Sequence, residues 1–373
     1  MILHLIHDDK VVPRMIKLFE EYNPGKNIFI CVSTKQKGRL KFIKNNSNVI
    51  MSYSKQALHL PWKNIDKICI HYLDIHKRFY LRLRGLFHNL KSKKIIWLMW
   101  GGDIYSYLEH KGFILYSKEN SYYFIRKKEH SDIIESLFHK IISVLDYRTL
   151  EGFINNRVDY IAASIEEFKL FKKYVSFDNC KDLLSFSYYS IEDTLGELFG
   201  LSISGDSIMV GNSASATNNH EYVLKYLEQL DIGKTEVIVP MSYGVNRCYL
   251  DIIETKYCSS LANVVVLKEF LPLDDYHRIL MKCSTFIYGN FRQEAWGNIL
   301  MALYLGGKVY LCNCNPLSEY CKRLGFKIFD LEDIDSSFKI CLSESERLKN
   351  REIALEYFSR KVNEVNIKLI CNL

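Results

Sequence analysis

The chain has 373 residues, long enough for two domains that each bury a core. Hydrophobic residues at 48% and charged residues at 25% are the balance of a soluble globular protein, which excludes a disordered or low-complexity chain. No apolar run reaches bilayer-spanning length, the N-terminal MILHLIHDDK is too short and too charged for a secretory signal, and the net charge of +7 matters only where it is clustered.

The expected compartment is therefore the cytoplasm. Eleven cysteines without a CxxC pair read as reduced thiols, and Cys312 and Cys314 lack the partner pair that a zinc site needs.

In chain order, the first half alternates strand-like and helix-like segments. Residues 2–6 form a predicted strand, which places His7, Asp8 and Asp9 at its carboxyl end, where polar residues face a cleft. Pro13 opens a helix that carries Ile16 and Phe19, and further strands are predicted at 27–32, 48–52 and 67–72. Alternation of this kind specifies a parallel sheet.

Residues 74–90 interleave Ile75, Phe79, Leu83, Leu86, Phe87 and Leu90 with Lys77, Arg78, Arg82 and Arg84, and Lys91, Lys93 and Lys94 follow. Such a helix is either a solvated outer face or a membrane-docking element, where each basic residue near anionic headgroups contributes about 1 kcal/mol. Arg126, Lys127 and Lys128 add a second basic cluster in the same half, which favours the membrane surface. Nucleic acid would use the same charges, but no recognised binding motif accompanies them.

A fifth strand at 95–99 ends in Trp100-Gly101-Gly102-Asp103, a sharp turn that presents a carboxylate beside aromatic residues. Asp103 is either a general base or the N-cap of the helix after it. Strands at 158–163 and 183–186 follow, and weak periodicity with Gly196, Gly200 and Gly205 puts the domain boundary between Tyr188 and Gly205.

The second half opens with SIMVGNSASATNNHEYVLKYLEQL from Ser207 to Leu230, a buried strand, a small-residue loop and an amphipathic helix in succession. Asn218 and Glu221 match a capping box, so the helix is predicted to start there with free amides and a positive dipole end facing the loop. That arrangement either binds a phosphate or is an ordinary strand-to-helix connection, because the loop has neither GxGxxG spacing nor a GK[ST] ending. Further strands are predicted at 235–240, 263–267, 284–288 and 309–311, with helices from about 246, at 273–282 and at 295–305, and a long helical stretch at 343–370. Met241 to Gly244 is expected beside the first loop. Asp333-Ile334-Asp335 reads as surface, not as a metal ligand pair.

Together WLMWGGDIY, IMVGNSASATNNHEYV, VIVPMSYG, the 276–283 helix and FRQEAWGNILMALYLGGKVYL closely resemble the bacterial transferases that move 4-acetamido-4,6-dideoxygalactose from dTDP onto lipid II of enterobacterial common antigen, the 4-alpha-L-fucosyltransferase family. The resemblance implies an α/β GT-B fold, two Rossmann-like domains facing a shared interdomain cleft, and inversion at the anomeric carbon without a metal or other cofactor. The expected division is 1–190 as a membrane-facing acceptor domain, 191–345 as the nucleotide-sugar domain, and 346–373 as a helix crossing back to the first domain. It further implies a polyprenyl-diphosphate-linked saccharide acceptor, common antigen or O-antigen synthesis, and a place on the cytoplasmic face of the inner membrane.

Carried over residue by residue, it puts Gly211, Asn212, Ser213, Asn219 and His220 around the diphosphate and Pro240, Met241 and Tyr243 on the nucleotide side. Arg292, Gln293, Gly297 and Asn298 would close on base, ribose or diphosphate. Asp103 matches the family's WGxD carboxylate, and His4 with an acid of the Asp8-Asp9 pair are the polar positions carried over before residue 95. Ala214 to Thr217 and Glu294, Ala295 and Trp296 depart from the family's pattern, near where the donor sugar would sit.

An inverting transfer needs a base for the acceptor hydroxyl and a cationic or dipolar group for the leaving diphosphate. Asp103 is the expected base, with His7 and Asp9 as the other choices, and Arg292 with the Ser207 loop as the diphosphate's partners. A nucleotide-sugar epimerase of the same architecture and a non-catalytic sugar or membrane-surface binding protein are the alternatives. Epimerisation would proceed without an acceptor, and a binding protein would tolerate loss of Asp103.

Overall fold

Apolar runs such as ILHLI and KICIH are the composition of strands covered on both faces, and they occupy the middle of a seven-stranded sheet. The computed structural model describes residues 1–33, 35–120, 147–176, 182–244, 247–261 and 263–373, leaving aside the side chains of 258–260. Its strands are β1 (Ile2–Ile6), β2 (Asn27–Cys31), β3 (Val49–Met51), β4 (Lys67–His71), β5 (Lys94–Leu98), β6 (Tyr160–Ala162) and β7 (Asp182–Leu184) in the first sheet. The second sheet holds β8 (Ser207–Val210), β9 (Val237–Pro240), β10 (Val264–Leu267), β11 (Cys283–Tyr288), β12 (Lys308–Leu311) and β13 (Phe329–Asp330).

The orders are β3-β2-β1-β4-β5-β6-β7 and β10-β9-β8-β11-β12-β13, and the recorded pairings are parallel. Each order reverses once, between β1 and β4 in one sheet and between β8 and β11 in the other. Both units are therefore doubly wound Rossmann-like α/β structures, which is the GT-B architecture.

Among the described residues, the first unit takes Met1–Lys111, those from 147 to Tyr188, and Lys361–Leu373, while the second takes 112–120 and Tyr189–Arg360. This corrects the expected division in two places. Residues 112–120 go with the second unit, because Asn219 and Asn120 tie them to the loop after β8. The helical stretch from 343 is two helices, Glu344–Phe358 and Arg360–Asn372, broken at Ser359, whose extended backbone (ψ 163°) ends the first. Only the second of these belongs to the first unit, where Ile367 and Ile370 join Ile2 and Phe19 in the core.

In the second unit, period-two alternation sends Met209, Ile238, Phe286 and Val309 to one face of the sheet and Ile208, Val210, Val239 and Ile287 to the other. Among the described residues no helix is long and apolar enough to cross a membrane.

Candidate active site

Open α/β sheets bind ligands outside the carboxyl ends of their strands, where the strand order reverses. In the second unit that place is formed by the loops after β8, β9 and β11. The loop after β8 turns at Gly211 (φ +69°), where a Cβ would meet His220 Nε2 at 2.7 Å and Asn218 Oδ1 at 2.9 Å. Only glycine fits there.

Several amides of this loop are already spent, in part on neighbouring loops, where free amides were expected. Gly211 N–H donates to Ile287 O (2.9 Å), Asn212 N–H to Asn218 Oδ1 (3.1 Å) and Ala214 N–H to Tyr243 O (2.8 Å), while Asn218 Nδ2 donates to Ser213 Oγ (3.1 Å). Ser213 is buried. The capping box is also absent. The helix runs His220–Glu228 with Asn219 as its left-handed N-cap, without a side-chain cap.

Asn219 is fully buried, its amide donating to Leu115 O and Gly289 O and accepting from Ser117 N–H and Asn120 Nδ2. His220 is buried as well, and Tyr249 Oη takes its backbone N–H at 3.1 Å. Burial lowers the His220 pKa to about 3, so the ring is neutral. The Asn219 side chain thus holds the loop, and the His220 ring packs on Tyr249 through Nδ1 while its Nε2 is buried without a partner.

The loop after β11 is different. Glu294 Oε2 accepts from Thr217 Oγ1 (2.6 Å), Asn290 Nδ2 (3.0 Å) and Arg292 Nε (3.0 Å), so one carboxylate fastens the β11 loop to the β8 loop. Ala295 adopts a left-handed conformation (φ 62°), uncommon for a residue with a Cβ, and caps the helix Trp296–Leu305. The first bond within that helix is Ile299 N–H to Ala295 O. The amides of the first turn, which includes Gly297 and Asn298, have no intrahelical acceptor. Gly297 is exposed, and a Cβ there would meet nothing within 4 Å.

Four buried polar atoms near these loops lack a partner: Asn212 Oδ1, His220 Nε2, Tyr288 Oη and Asn290 Oδ1. Groups of this kind call for a ligand or water. Arg292, Gln293 and Asn298 are half-buried around them. Of the nucleotide-side residues, Pro240 ends β9 buried and Met241 is fully buried, its N–H on Leu267 O (2.8 Å). Tyr243 keeps an exposed ring while its hydroxyl accepts from Asn212 Nδ2 (3.0 Å).

In the first unit the corresponding place lies past β1 and β4. His7, Tyr72 and Trp100 follow β1, β4 and β5, with the His7 ring 5.0 Å from that of Tyr72 and 4.8 Å from that of Trp100. Tyr72 has φ +65°, a strained conformation for a bulky residue. His7 Nδ1 is buried without a partner. Burial and the nearby Lys77 ammonium lower the His7 pKa to about 4, against smaller opposing effects of Asp9, Asp74 and a hydrogen bond to the His71 backbone. Lys77 itself is fully buried on Asp74, Nζ to Oδ2 2.7 Å.

Asp103 is not displayed as expected. Its carboxylate is buried and accepts from Leu73 N–H (2.9 Å), Trp97 Nε1 (2.8 Å) and Trp100 N–H (3.1 Å). Burial raises its pKa against those three bonds. Nor is it an N-cap, since the helix Gly102–His110 is capped by Gly101 at φ +79°. Asp103 joins the ends of β4 and β5. Asp8 is spent likewise on the amides of Lys41, Phe42 and Ile43, while Asp9 stays half-buried with one oxygen on Val11 N–H (3.0 Å).

Behind His7 runs a buried chain that the residue pattern did not disclose. His4 Nε2 meets Asn27 Oδ1 (3.3 Å), His4 Nδ1 meets His71 Nε2 (3.0 Å), His71 Nδ1 meets Tyr188 Oη (3.0 Å), and Trp100 Nε1 donates to that hydroxyl. An amide oxygen only accepts, so His4 carries its proton on Nε2 and His71 does the same, and every step has one donor and one acceptor. Both imidazoles are neutral; burial takes the His4 pKa to about 3 and the His71 pKa well below its ordinary value.

The basic helix is shorter than expected, Ile75–Gly85, and two of its four basic residues, Lys77 and Arg78, are turned inward. Lys77 and Arg78 are buried, Lys93 Nζ bonds the carbonyls of Trp62 and Ile65, and Lys94 Nζ that of Leu373. Arg82 and Lys91 are exposed, and Arg84 stacks over Tyr80 at 5.0 Å. Exposed instead are Ile75, Phe79, Leu83, Leu86 and Phe87, the last two at 73% and 79%. Arg126, Lys127 and Lys128 lie outside the described residues. Among the described residues no three His, Cys, Asp or Glu side chains gather as metal ligands.

The family model described as 4-alpha-L-fucosyltransferase, glycosyl transferase group 56, matches residues 157–350, more than half of the chain. Among solved structures the chain is similar to HepE from Anabaena in complex with UDP and glucose, at TM-score 0.62 and 12% identity over 100% of this chain and 99% of that one. It is also similar to sucrose-phosphate synthase from Thermosynechococcus elongatus, at TM-score 0.63 and 10% identity over 100% and 98%. At such identities the likeness is one of fold.

Proposed function

The chain belongs to the 4-alpha-L-fucosyltransferase family, glycosyl transferase group 56, and is a glycosyltransferase; from that premise we propose that it moves a 4-acetamido-4,6-dideoxyhexose from a dTDP-sugar, with inversion, onto a polyprenyl-diphosphate-linked saccharide. The observation that carries the donor reading is the set of orphaned atoms Asn212 Oδ1, Tyr288 Oη and Asn290 Oδ1 near the open first turn of the helix Trp296–Leu305. A diphosphate and ribose supply donors and acceptors of the required kind. The helix amides and Arg292 stabilise the leaving diphosphate, so the charge is met by protein groups and no metal is assigned to the step.

His7 is the base in this reading, in place of Asp103. Neutral at physiological pH, its Nδ1 takes the acceptor hydroxyl's proton as the hydroxyl oxygen attacks the anomeric carbon. The bond from that carbon to the diphosphate breaks, and its electron pair leaves on the diphosphate oxygen. Asp9, half-buried beside His7 in sequence, raises the proton affinity of the ring and stabilises the imidazolium. Tyr72 and Trp100 offer aromatic faces to an acceptor sugar.

The acceptor is lipid-linked, and the exposed Phe79, Leu83, Leu86 and Phe87 favour a peripheral position on the cytoplasmic face of the inner membrane, in common-antigen or O-antigen synthesis. The deciding experiment is a thermal-shift panel of dTDP, UDP and GDP followed by product analysis with dTDP-sugars. The expected result is stabilisation by dTDP well beyond UDP and GDP, and transfer that persists in EDTA. Equal stabilisation by all three would remove the dTDP assignment, and loss of transfer in EDTA the metal-free one.

A further inference from the structure

Two cysteines stand one residue apart just past the carboxyl end of β12, in the second unit. Cys312 is fully buried, whereas Cys314 is exposed. Asn315 N–H donates to Cys312 O at 3.0 Å, so residues 312–315 form a β-turn with the cysteines at its first and third positions. Two Cα steps of about 3.8 Å, folded at such a turn, bring the two Cα atoms within the separation of about 4.4–6.8 Å that a disulfide spans.

The turn is pinned along its length. Asn313 N–H donates to Glu332 Oε2 (3.1 Å), Cys312 Sγ lies 3.9 Å from Tyr288 O, and the buried Asn315 places Nδ2 on Asn290 O (2.9 Å). Asn315 is also the N-cap of the helix Pro316–Leu324 and accepts from Leu317 N–H (2.9 Å), so Cys314 immediately precedes a positive helix end. Within the turn the two thiols are hydrogen-bonded to each other. Cys312 supplies the proton, which raises its own pKa and lowers that of Cys314 against burial and the Glu332 carboxylate. The solvent-facing sulfur is therefore the one that ionises to the nucleophilic thiolate, and the buried one is held beside it as a thiol.

We propose that Cys312 and Cys314 are a hydroperoxide-reactive pair that closes reversibly to a disulfide within the turn. The Cys314 thiolate attacks one oxygen of hydrogen peroxide. The O–O bond breaks, the sulfur is oxidised to a sulfenic acid, and the other oxygen leaves as hydroxide. Cys312 Sγ then attacks Cys314 Sγ. The S–O bond breaks as the S–S bond forms, and the Cys312 proton goes to the departing hydroxide, which leaves as water. In sum, two thiols and one peroxide give one disulfide and two waters. A small dithiol reopens the bond by exchange. A ring closed over the single residue Asn313, on an exposed turn, belongs with the labile disulfides and not with the structural ones. This chemistry needs neither the donor nor the acceptor reading.

The reduced full chain is treated with a small excess of hydrogen peroxide, its remaining thiols are blocked with N-ethylmaleimide in denaturant, and the tryptic peptide from Val309 to Lys322, which also contains Cys321, is weighed. The expected peptide carries a single maleimide, on Cys321, and is lighter by two hydrogen atoms, with no backbone fragments between Cys312 and Cys314. Dithiothreitol added before the blocking step should restore three maleimides. Cys314 is expected to react at least about tenfold faster than the exposed Cys248 and Cys341 and to lose that lead in urea, where the turn is gone. Cys312→Ala should stop at the sulfenic acid on Cys314, trapped by dimedone. Three maleimides on the peptide after Cys248 or Cys341 has been oxidised would overturn the proposal, as would sulfinic acid at Cys314 in place of the disulfide, or a lead that persists in urea. If Cys312→Ala does not fold, the parent chain decides alone, because its peptide mass and rates need no variant.

Discussion

Tyr249 Oη lies 3.1 Å from both the backbone N and the Nδ1 of His220, so a neutral phenol occupies the first turn of the helix that follows the β8 loop. The hydroxyl accepts from the backbone amide and donates to the ring. A diphosphate cannot use that helix end while the phenol is there, which moves the donor reading to the helix starting at Trp296.

Removing the hydroxyl strands two buried groups without opening a site. We expect Tyr249→Phe to lower the unfolding free energy of the second unit by about 1–3 kcal/mol and to leave dTDP affinity within about twofold. Urea unfolding and nucleotide titration check the pair. A collapse of affinity with unchanged stability would return the diphosphate to His220.

Asp103 and His7 should separate in the same manner. In Asp103→Asn the carboxamide keeps one acceptor oxygen, so its NH2 faces either Trp100 N–H or the two donors from Leu73 and Trp97, at a cost of about 1–3 kcal/mol. Its effect on turnover should follow the loss of stability. His7→Ala should cost about 100-fold or more in turnover with little change in melting temperature, because the ring's Nδ1 has no structural partner. Asp103→Asn with parental stability and abolished turnover would restore the carboxylate as base.

The strands were legible because buried parallel strands are near-continuous apolar runs, and both sheets have the expected members except β13, two residues long. Loop chemistry was only half legible. The small residues of 211–217 do mark a tight connection, but small side chains serve a loop whose amides are spent within the protein as well as one that cradles an anion. That distinction depends on Tyr249 and Asn120, which lie far from the loop in sequence. The charges of the 74–90 helix misled for a related reason: periodicity gives an apolar face, but not which face the fold covers. The His4–His71–Tyr188 chain had no sequence signal beyond a polar residue inside an apolar strand. Tyr72 could have been found, since it stands at the carboxyl end of a predicted strand beside the reversal of order.

Glu294, one of the positions expected to depart from the family's pattern, accepts from Thr217, Asn290 and Arg292 at once. Its negative charge sits beside the proposed diphosphate site and draws Arg292 toward itself. Glu294→Gln keeps one acceptor oxygen and removes the charge, so donor affinity should rise about 3- to 10-fold. Glu294→Ala should weaken it, because the two loops lose their common acceptor. Weaker donor binding in Glu294→Gln, measured by titration, would mean that the carboxylate itself contacts the donor.

Stability should fall with pH before the carboxylates titrate. His4, His71 and His220 are buried neutral, with pKa values of about 3 for His4 and His220 and well below the ordinary value for His71, whereas in the unfolded chain each titrates near 6.5. Below pH 6.5 the unfolded state therefore binds more protons than the folded one, and stability, full above that pH, is lost as pH falls toward 3. Each imidazole contributes a slope of about 1.4 kcal/mol per pH unit in that window. Two of the three belong to the first unit, where protonating His4 would also set its Nδ1–H against the His71 Nε2–H, and protonating His71 would set its Nδ1–H against the Tyr188 hydroxyl proton. The first unit should thus unfold at the higher pH, seen as earlier loss of Trp97 and Trp100 fluorescence than of far-ultraviolet signal from the whole chain. Urea unfolding at pH 7.5, 6.5, 5.5 and 5.0 measures the slope, and a flat profile across that range would mean that these histidines are not held neutral in the native state.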